Sequence, residues 1–412
     1  MLQAIRSWHD RQIGEIEGDR VLRYYGAALA SANTITWFHW AFVRRGLEDT
    51  LGPKAMALCW PFWENCHEFR PFQLDTLHLL LWGYAALTVA VGAFFVTGKV
   101  RWGYWGLVLV TALRLFILFQ DFRLRANQHY MANWVTLAYL AFPARRVLIP
   151  HLLVWIYFWA GALKLDREWF TGAALYKKDK LWVPDALIPA SCVYVVVMEM
   201  VLVFGIYARR AWLFWVTFAQ LVVFHIFSWP IVGLFYPMLM FCLISIFPLG
   251  RLMSPAGQWP TLKPLVPKEY RLAAVMLLGG FGFFQAIPYA FPGDSAVTGE
   301  GRLFALHMFD ALVECDATAV IRFENGETKP VPVNQYGRRL ARRIRCDPVV
   351  HFSIARHLCR QIRERPGAID LDYTLRSKRT SDPDLSEVMA IENFCAADLT
   401  YDLWRPNSWI QK

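Results

Sequence analysis

The stretch Ile156 to Gly172 reads I-Y-F-W-A-G-A-L-K-L-D-R-E-W-F-T-G and closes an apolar run, Val147 to Leu163, on a single lysine. Beyond Lys164 the chain turns polar at once with Asp166, Arg167 and Glu168. Such a run predicts a membrane-spanning helix, and an amine held at its lipid boundary is costly unless it has a partner or a task. Tyr157, Gly161 and Lys164 fall at i, i+4 and i+7, so one helical face carries a phenol, a gap and an amine. Two readings follow. On a pocket-lining face the amine is desolvated toward the neutral form that a general base needs. On a lipid-facing one it snorkels to the headgroups.

Hydrophobic residues make up 56% of the chain and charged residues 18%, against roughly 45–50% and 25% in soluble domains. Several further apolar runs have spanning length, so the lipid bilayer is the expected partner of a polytopic protein. The net charge of +10 does not point to nucleic acid, because the basic residues sit beside apolar runs, where they anchor to anionic lipid. Residues 1 to 23 lack the order of a cleavable signal and read as part of the mature protein. Cysteines at 59, 66, 192, 242, 315, 346, 359 and 395 show no CxxC or Cys/His spacing, so no metal site is expected. The four in the tail can form disulfides only if the tail lies outside the cytoplasm.

Outward from the lysine run, spans are expected at residues 24–43, 74–97, 102–119, 147–165, 185–208, 212–229, 231–249 and 272–291. Residues 46–73, with Trp60, Phe62, Trp63 and Phe69, suit an interfacial segment. The apolar piece after Asn127-Gln128-His129-Tyr130 stops at Pro143 and is short for a crossing, so eight or nine spans remain open. Arg114 should face the bundle interior or a partner such as Asp121. Glu199, within V-V-V-M-E-M-V-L-V-F, must protonate, pair or face a polar cavity, with Lys164 or His225 as partner. A pair with Lys164 would keep the lysine protonated at rest.

After Phe291 the composition shifts, and residues 292–412 read as a soluble α+β domain following a transmembrane domain of residues 1–291. Thr318 to Val333 alternates around Glu324-Asn325-Gly326-Glu327, a two-residue Asn-Gly hairpin signal. Asp347-Pro348 opens a helix to Arg363, and Ile369 to Leu375 alternates as a strand. Arg338, Arg339, Arg342, Arg343 and Arg345 read as a solvated helical face or a contact for headgroups or acidic peptide.

The pattern Y-F-x-A-G-x-x-K-L-D-x-x-W-x-x-G, carried by Tyr157, Phe158, Ala160, Gly161, Lys164, Leu165, Asp166, Trp169 and Gly172, resembles the signature of the vitamin K-dependent gamma-carboxylases and their bacterial relatives, the horizontally transferred transmembrane (HTTM) domain proteins. N-Q-H-Y at 127–130 and the segment from His225 through Gly233, Phe235 and Pro237 are similar to two further motifs of that family. L-F-A-L-H-M-F-D-A-L after Arg302 and W-R-P-N-S-W-I near the end look like its extra-membrane domain.

The resemblance implies a helical bundle of eight or nine spans with a C-terminal α+β domain. It further implies oxygenation of reduced vitamin K or a related naphthohydroquinone to its epoxide, with O2 and CO2 as co-substrates and a glutamate in a protein or peptide as acceptor. Lys164 would be the base that activates the hydroquinone, and His129 would assist the carbanion and carbon dioxide step. Tyr157, Gly161, His225 and Glu199 would form the cofactor site. The family's animal members carry a much longer luminal region that helps bind propeptide-bearing substrates. The same residues allow a non-catalytic membrane factor in export or maturation of a secreted peptide, or a transporter with a proton path. A multi-pass protein, of the inner membrane if bacterial, is expected in every case.

Overall fold

In lipid every backbone polar group must bond within its own segment, so the apolar runs become helices. The computed structural model of the chain describes all residues except 1, 44–46, 53–54, 64, 70, 176–180, 255–265, 307–311, 334–341 and 412. In chain order the main helices are α1 (Leu2–Glu17), α2 (Arg20–Phe38, prolonged by a π turn, His39–Val43), α3 (Leu74–Val96), α4 (Val100–Phe119), α5 (Asn127–Ala141) and α6 (Arg145–Ala162). Then come α7 (Ile188–Met200, prolonged by the 3-10 segment Leu202–Tyr207), α8 (Ala211–Val232), α9 (Phe235–Ile244, prolonged by Ile246–Met253) and α10 (Lys268–Ala290, several joined segments).

The chain is a multi-pass membrane protein in which six helices among the described residues are long and apolar enough to cross a bilayer: α3, α4, α7 with its flanking turns, α8, α9 and α10. Eight or nine were expected. The other three, α2, α5 and α6, fall short because they lie inside the bundle. α6 packs against α5, α7, α9 and α10, and it buries Arg145 and His151 along with its apolar residues. α2 buries Asn33 and Thr36, and α5 is only 15 residues long. A helix enclosed by others needs no continuous lipid-facing surface.

Contacts sort the helix ends into two sets. At one end α1 meets the start of α6, through Glu15 to Arg145 at 2.6 Å, and Asp10 meets Arg101 at the start of α4. At the other end the loop after α2 meets the end of α4, through Leu58 N to Asp121 Oδ2 at 3.1 Å, and Asp166 after α6 meets Arg379 of the C-terminal domain at 2.8 Å. One boundary differs from expectation. α8 runs through Pro230 and stops at Gly233, whose positive φ of +83° is a backbone conformation open to glycine. Arg114 faces the bundle interior, one of its two expected places, where it bonds Asn33 and Asn133, while Asp121 is bonded by Arg123.

The C-terminal part forms one antiparallel sheet, β1 (Val313–Phe323), β2 (Thr328–Val331), β3 (Ala368–Arg379) and β4 (Ser386–Ile391), in the order β2-β1-β3-β4. Phe323 and Glu327 close the β1–β2 hairpin across three residues with Gly326 at φ +80°, rather than the two-residue turn expected, because the left-handed glycine takes the third place. Helix α11 (Pro348–Arg363), capped by Asp347 as expected, packs on β3. Leu58 and Phe122 of the membrane-side loops belong to the same core. The expected strand at 369–375 lies within β3. Arg338 and Arg339 lie outside the described residues, and Arg345 is exposed at the end of a short helical turn.

Within this domain His351 is buried between sheet and helix. Its Nε2–H donates to Arg345 O at 2.8 Å, which leaves Nδ1 to accept from the Tyr373 hydroxyl at 2.7 Å. Burial pushes its pKa from 6.5 down to about 4. The unfolded chain therefore takes up a proton between those values that the folded domain refuses, so stability is full above pH 6.5 and falls as the pH drops toward 4. The loss is on the order of 3 kcal/mol. Chemical denaturation of the purified protein between pH 7 and pH 4 should show this slope in the domain's transition, and His351→Gln should flatten it; an unchanged slope would rule out His351 as its source.

Candidate functional site

Helix α6 ends at Ala162, and Lys164 stands in the turn that follows, its N–H on Gly161 O at 3.0 Å. Its side chain folds back over the helix end. The ammonium donates to Ala160 O at 3.0 Å and to both oxygens of Glu199, at 2.9 and 2.7 Å. Each of the two side chains is 1% exposed. Below the ammonium lies the Trp169 ring, 5.4 Å from Nζ to centroid, whose indole N–H is fixed on Cys192 O.

Gly161 does not open the gap expected of it. A Cβ there would meet Met200 Cγ at 2.6 Å and Glu199 Cβ at 3.1 Å, so the missing side chain lets α7 approach and carries Glu199 onto Lys164. Tyr157, earlier on α6, makes a 2.5 Å hydrogen bond with His225 Nε2, and the His225 ring lies 5.2 Å from that of Tyr236. If Tyr157 donates, His225 carries its proton on Nδ1. That buried atom has no hydrogen-bond partner. An orphaned ring N–H beside a buried phenol is a donor that an incoming hydroxyl or carbonyl oxygen would satisfy.

His129, in the first turn of α5, is buried between Trp40 at 5.4 Å and Phe235 at 5.5 Å, and Phe235 stacks on His39 at 4.2 Å. The turn at Gly233 thus delivers two neighbours to two places, Phe235 to His129 and Tyr236 to His225. Lys164, Glu199, Tyr157 and His225 form one cluster, and His129 belongs to a second on the far side of that aromatic pair. Sequence reading did not single out Trp40, His39 or Tyr236. Tyr236 stood within the quoted His225 motif, but nothing in the pattern around residue 40 distinguished those rings from interfacial aromatics.

Near His129 a cavity of about 260 Å³ opens between α4, α5 and the C-terminal part, with apolar walls that include Leu118, Phe119 and Phe304 and polar heads from Arg125, Asn127, His129 and Asn133. It also went unforeseen, because its walls come from segments far apart in sequence.

The class this arrangement defines is a mostly helical multi-pass membrane protein with a buried lysine–glutamate pair and a small antiparallel sheet in its C-terminal part. Compared with known proteins, the chain matches no family model, no curated protein and no solved structure.

The close approach at Gly161 is testable without any assumption about activity. Gly161→Ala should destabilise the protein by about 1–3 kcal/mol through overpacking against α7, seen as a lower thermal midpoint in detergent. Gly83→Ala, on a helix position with nothing within 4 Å of the new Cβ, should be neutral or slightly stabilising. Equal midpoints for the two variants would show that α7 does not depend on the gap.

Proposed function

We propose that the protein is a membrane oxygenase of a reduced naphthoquinone in which Lys164 is the base, with carboxylation of a glutamate in a protein or peptide coupled to it where such an acceptor is presented. The observation that carries the reading is the Lys164–Glu199 pair. Apolar residues of like volume often match or exceed the stability of a buried ion pair, so stability alone is a weak reason to keep one beside a phenol–imidazole pair with a free ring nitrogen.

At rest the lysine's three ammonium hydrogens have acceptors in Ala160 O and Glu199. Moving one proton across the 2.7 Å contact to Glu199 turns the ion pair into a neutral pair without changing the net charge, which a low-dielectric interior tolerates. The freed Nζ then accepts a hydroxyl proton. His225 Nδ1–H, fixed by Tyr157, orients a ring oxygen, and the aromatic walls keep out water that would quench a strong base. When bound, the hydroquinone and O2 supply that base as the ring becomes the epoxide, and CO2 supplies the new carboxyl group. His129 faces the acceptor side.

The filled hydrogen bonds of Lys164 also favour a second reading, in which the pair is structural and the protein is a non-catalytic membrane factor for export or maturation of a secreted peptide. Two assays of membranes separate them. Lys164→Ala should abolish epoxide formation from reduced vitamin K, Lys164→Arg should not restore it because guanidinium stays protonated, and a small primary amine should restore part of it. A wild-type protein that forms no epoxide, or a variant with an unchanged rate, would remove the base assignment.

The same reading extends to topology: α2, α5 and α6 cross along with the six apolar helices, giving nine passes with α1 in the cytoplasm and the α+β domain outside. It is supported by three disulfides, Cys59–Cys66, Cys315–Cys346 and Cys359–Cys395, at that one end of the bundle, since such bonds persist in oxidising compartments. An impermeant maleimide applied to intact cells should label Cys315 and Cys395 only after an impermeant reductant is added. Labelling without reductant would exclude the bonds, and labelling only after permeabilisation would place the domain inside.

A further inference from the structure

Arg114 lies inside the apolar helix α4 with 0% exposure. Its Nη1 donates to Asn33 Oδ1 at 3.0 Å and its Nη2 to Asn133 Oδ1 at 2.5 Å, while Nε is buried with no hydrogen-bond partner. No carboxylate among the described residues lies in ion-pair reach. The Tyr84 hydroxyl also gives its proton to Asn33 Oδ1, at 2.8 Å, so it adds no negative charge. A full positive charge in a membrane interior is thus met only by amide dipoles, whereas charges in spanning segments pair with one another or mark a ligand path. Arg145 shows the contrast, with a carboxylate at 2.6 Å.

The missing counter-charge has a place to come from. Asn133 turns its oxygen to Arg114, so its amide N–H groups point elsewhere, and Asn133 lines the junction cavity. The other polar residues there are Arg125, Asn127, His129 and Tyr130; among the described residues no aspartate or glutamate lines it. Arg125 is itself only 3.9 Å from Asp347, yet the cavity remains lined by donors and cations. Its walls are otherwise leucine and aromatic side chains, and its size suits a slim body rather than a ring system with a long tail.

We propose that this cavity is a carboxylate-binding site for a small acid with an apolar stem, in which the Asn133 amide holds the anion and Arg114 supplies the counter-charge from behind. The binding claim stands apart from the oxygenase reading. Where that reading holds, the site is the seat of the acceptor side chain, and Arg114 is a positioning residue acting through Asn133.

Trp60 lines the cavity, so the part of the fluorescence change that Trp60→Phe removes, against the signal of all nineteen tryptophans, reports occupancy in purified full-length protein with no quinone present. Hexanoate and an end-blocked glutamate should each change the signal saturably, while hexanamide and the matching glutamine compound should not. Stronger binding of the blocked glutamate identifies a peptide side chain as the source; stronger binding of hexanoate identifies a free acid. Arg114→Gln should weaken the better ligand about tenfold or more. If that variant fails to fold, Asn133→Asp decides the matter, because it sets a permanent carboxylate beside Arg114: the thermal midpoint should rise and binding should be lost. Equal responses to acid and amide, no response to either acid, or undiminished binding in Asn133→Asp would overturn the proposal. Loss of epoxide formation with binding intact would instead remove only the oxygenase reading.

Discussion

The geometry of the bundle's centre depends on one buried contact, the ammonium of Lys164 against the carboxylate of Glu199. Separating these charges inside the bundle would leave each uncompensated, at about 3–5 kcal/mol for removal of one partner, so everything around them is arranged to keep them together. Gly161 admits α7, and Trp169 supports the ammonium from below. The turn after Lys164 is then gripped by the C-terminal domain. Arg379 bonds both Asp166 and Asp294, which holds its pKa above the usual guanidinium range. Glu168 accepts from Ser381 N at 2.9 Å and from the Ser381 hydroxyl at 2.5 Å. The domain is therefore a clamp on the turn that carries the lysine.

Three buried cations show three degrees of compensation. Lys164 has a whole carboxylate. Arg145 shares Glu15 with the edge of the bundle and adds Gln12 at 2.7 Å and backbone carbonyls. Arg114 has amide oxygens alone. The ordering follows position: the cation near the α1 end has a half-exposed carboxylate close by, whereas the cation beside the junction cavity has none. A permanent acid next to Arg114 would make a comfortable resting state, at the expense of any anion that enters from the cavity.

Much of this was legible. Lys164 stood out because an amine at the end of an apolar run is chemically conspicuous, and Glu199 for the same reason, so their contact was one of the two pairings that could be named in advance. The Asp347 cap and the strand within β3 followed from local chemistry. What failed was distance and enclosure. Arg114 and Asp121 share a helix region, but seven residues of helix span about 10 Å, too far for an ion pair, and Asp121 was already committed to Arg123 and Leu58. The break was placed at Pro230, but the helix carries that proline within its last turn and ends only at Gly233, where the positive φ turns the chain back. The apolar count fell from the expected number because hydropathy detects lipid contact, and α2, α5 and α6 have little.

The junction cavity shows why the two parts of the chain have to be considered together. Its floor is α4 and α5, and Leu303, Phe304, Ala305 and Leu403 come from the C-terminal part. The roof is tied down by polar bonds that would be poor in water but hold in a dry interior: the Tyr130 hydroxyl donates to Phe304 O at 2.6 Å, and Gln285 bridges α10 to it, giving its amide N–H to Tyr130 and accepting from Leu306 N at 2.7 Å. Gln285 is fully buried, so each of these bonds lost would leave a desolvated polar atom behind, at about 1–3 kcal/mol. The arginine, the histidine and the amides of the cavity therefore face a space whose low dielectric is made by the domain after Phe291. Their strength toward an anion is set by how firmly that roof is bonded to Tyr130 and Gln285.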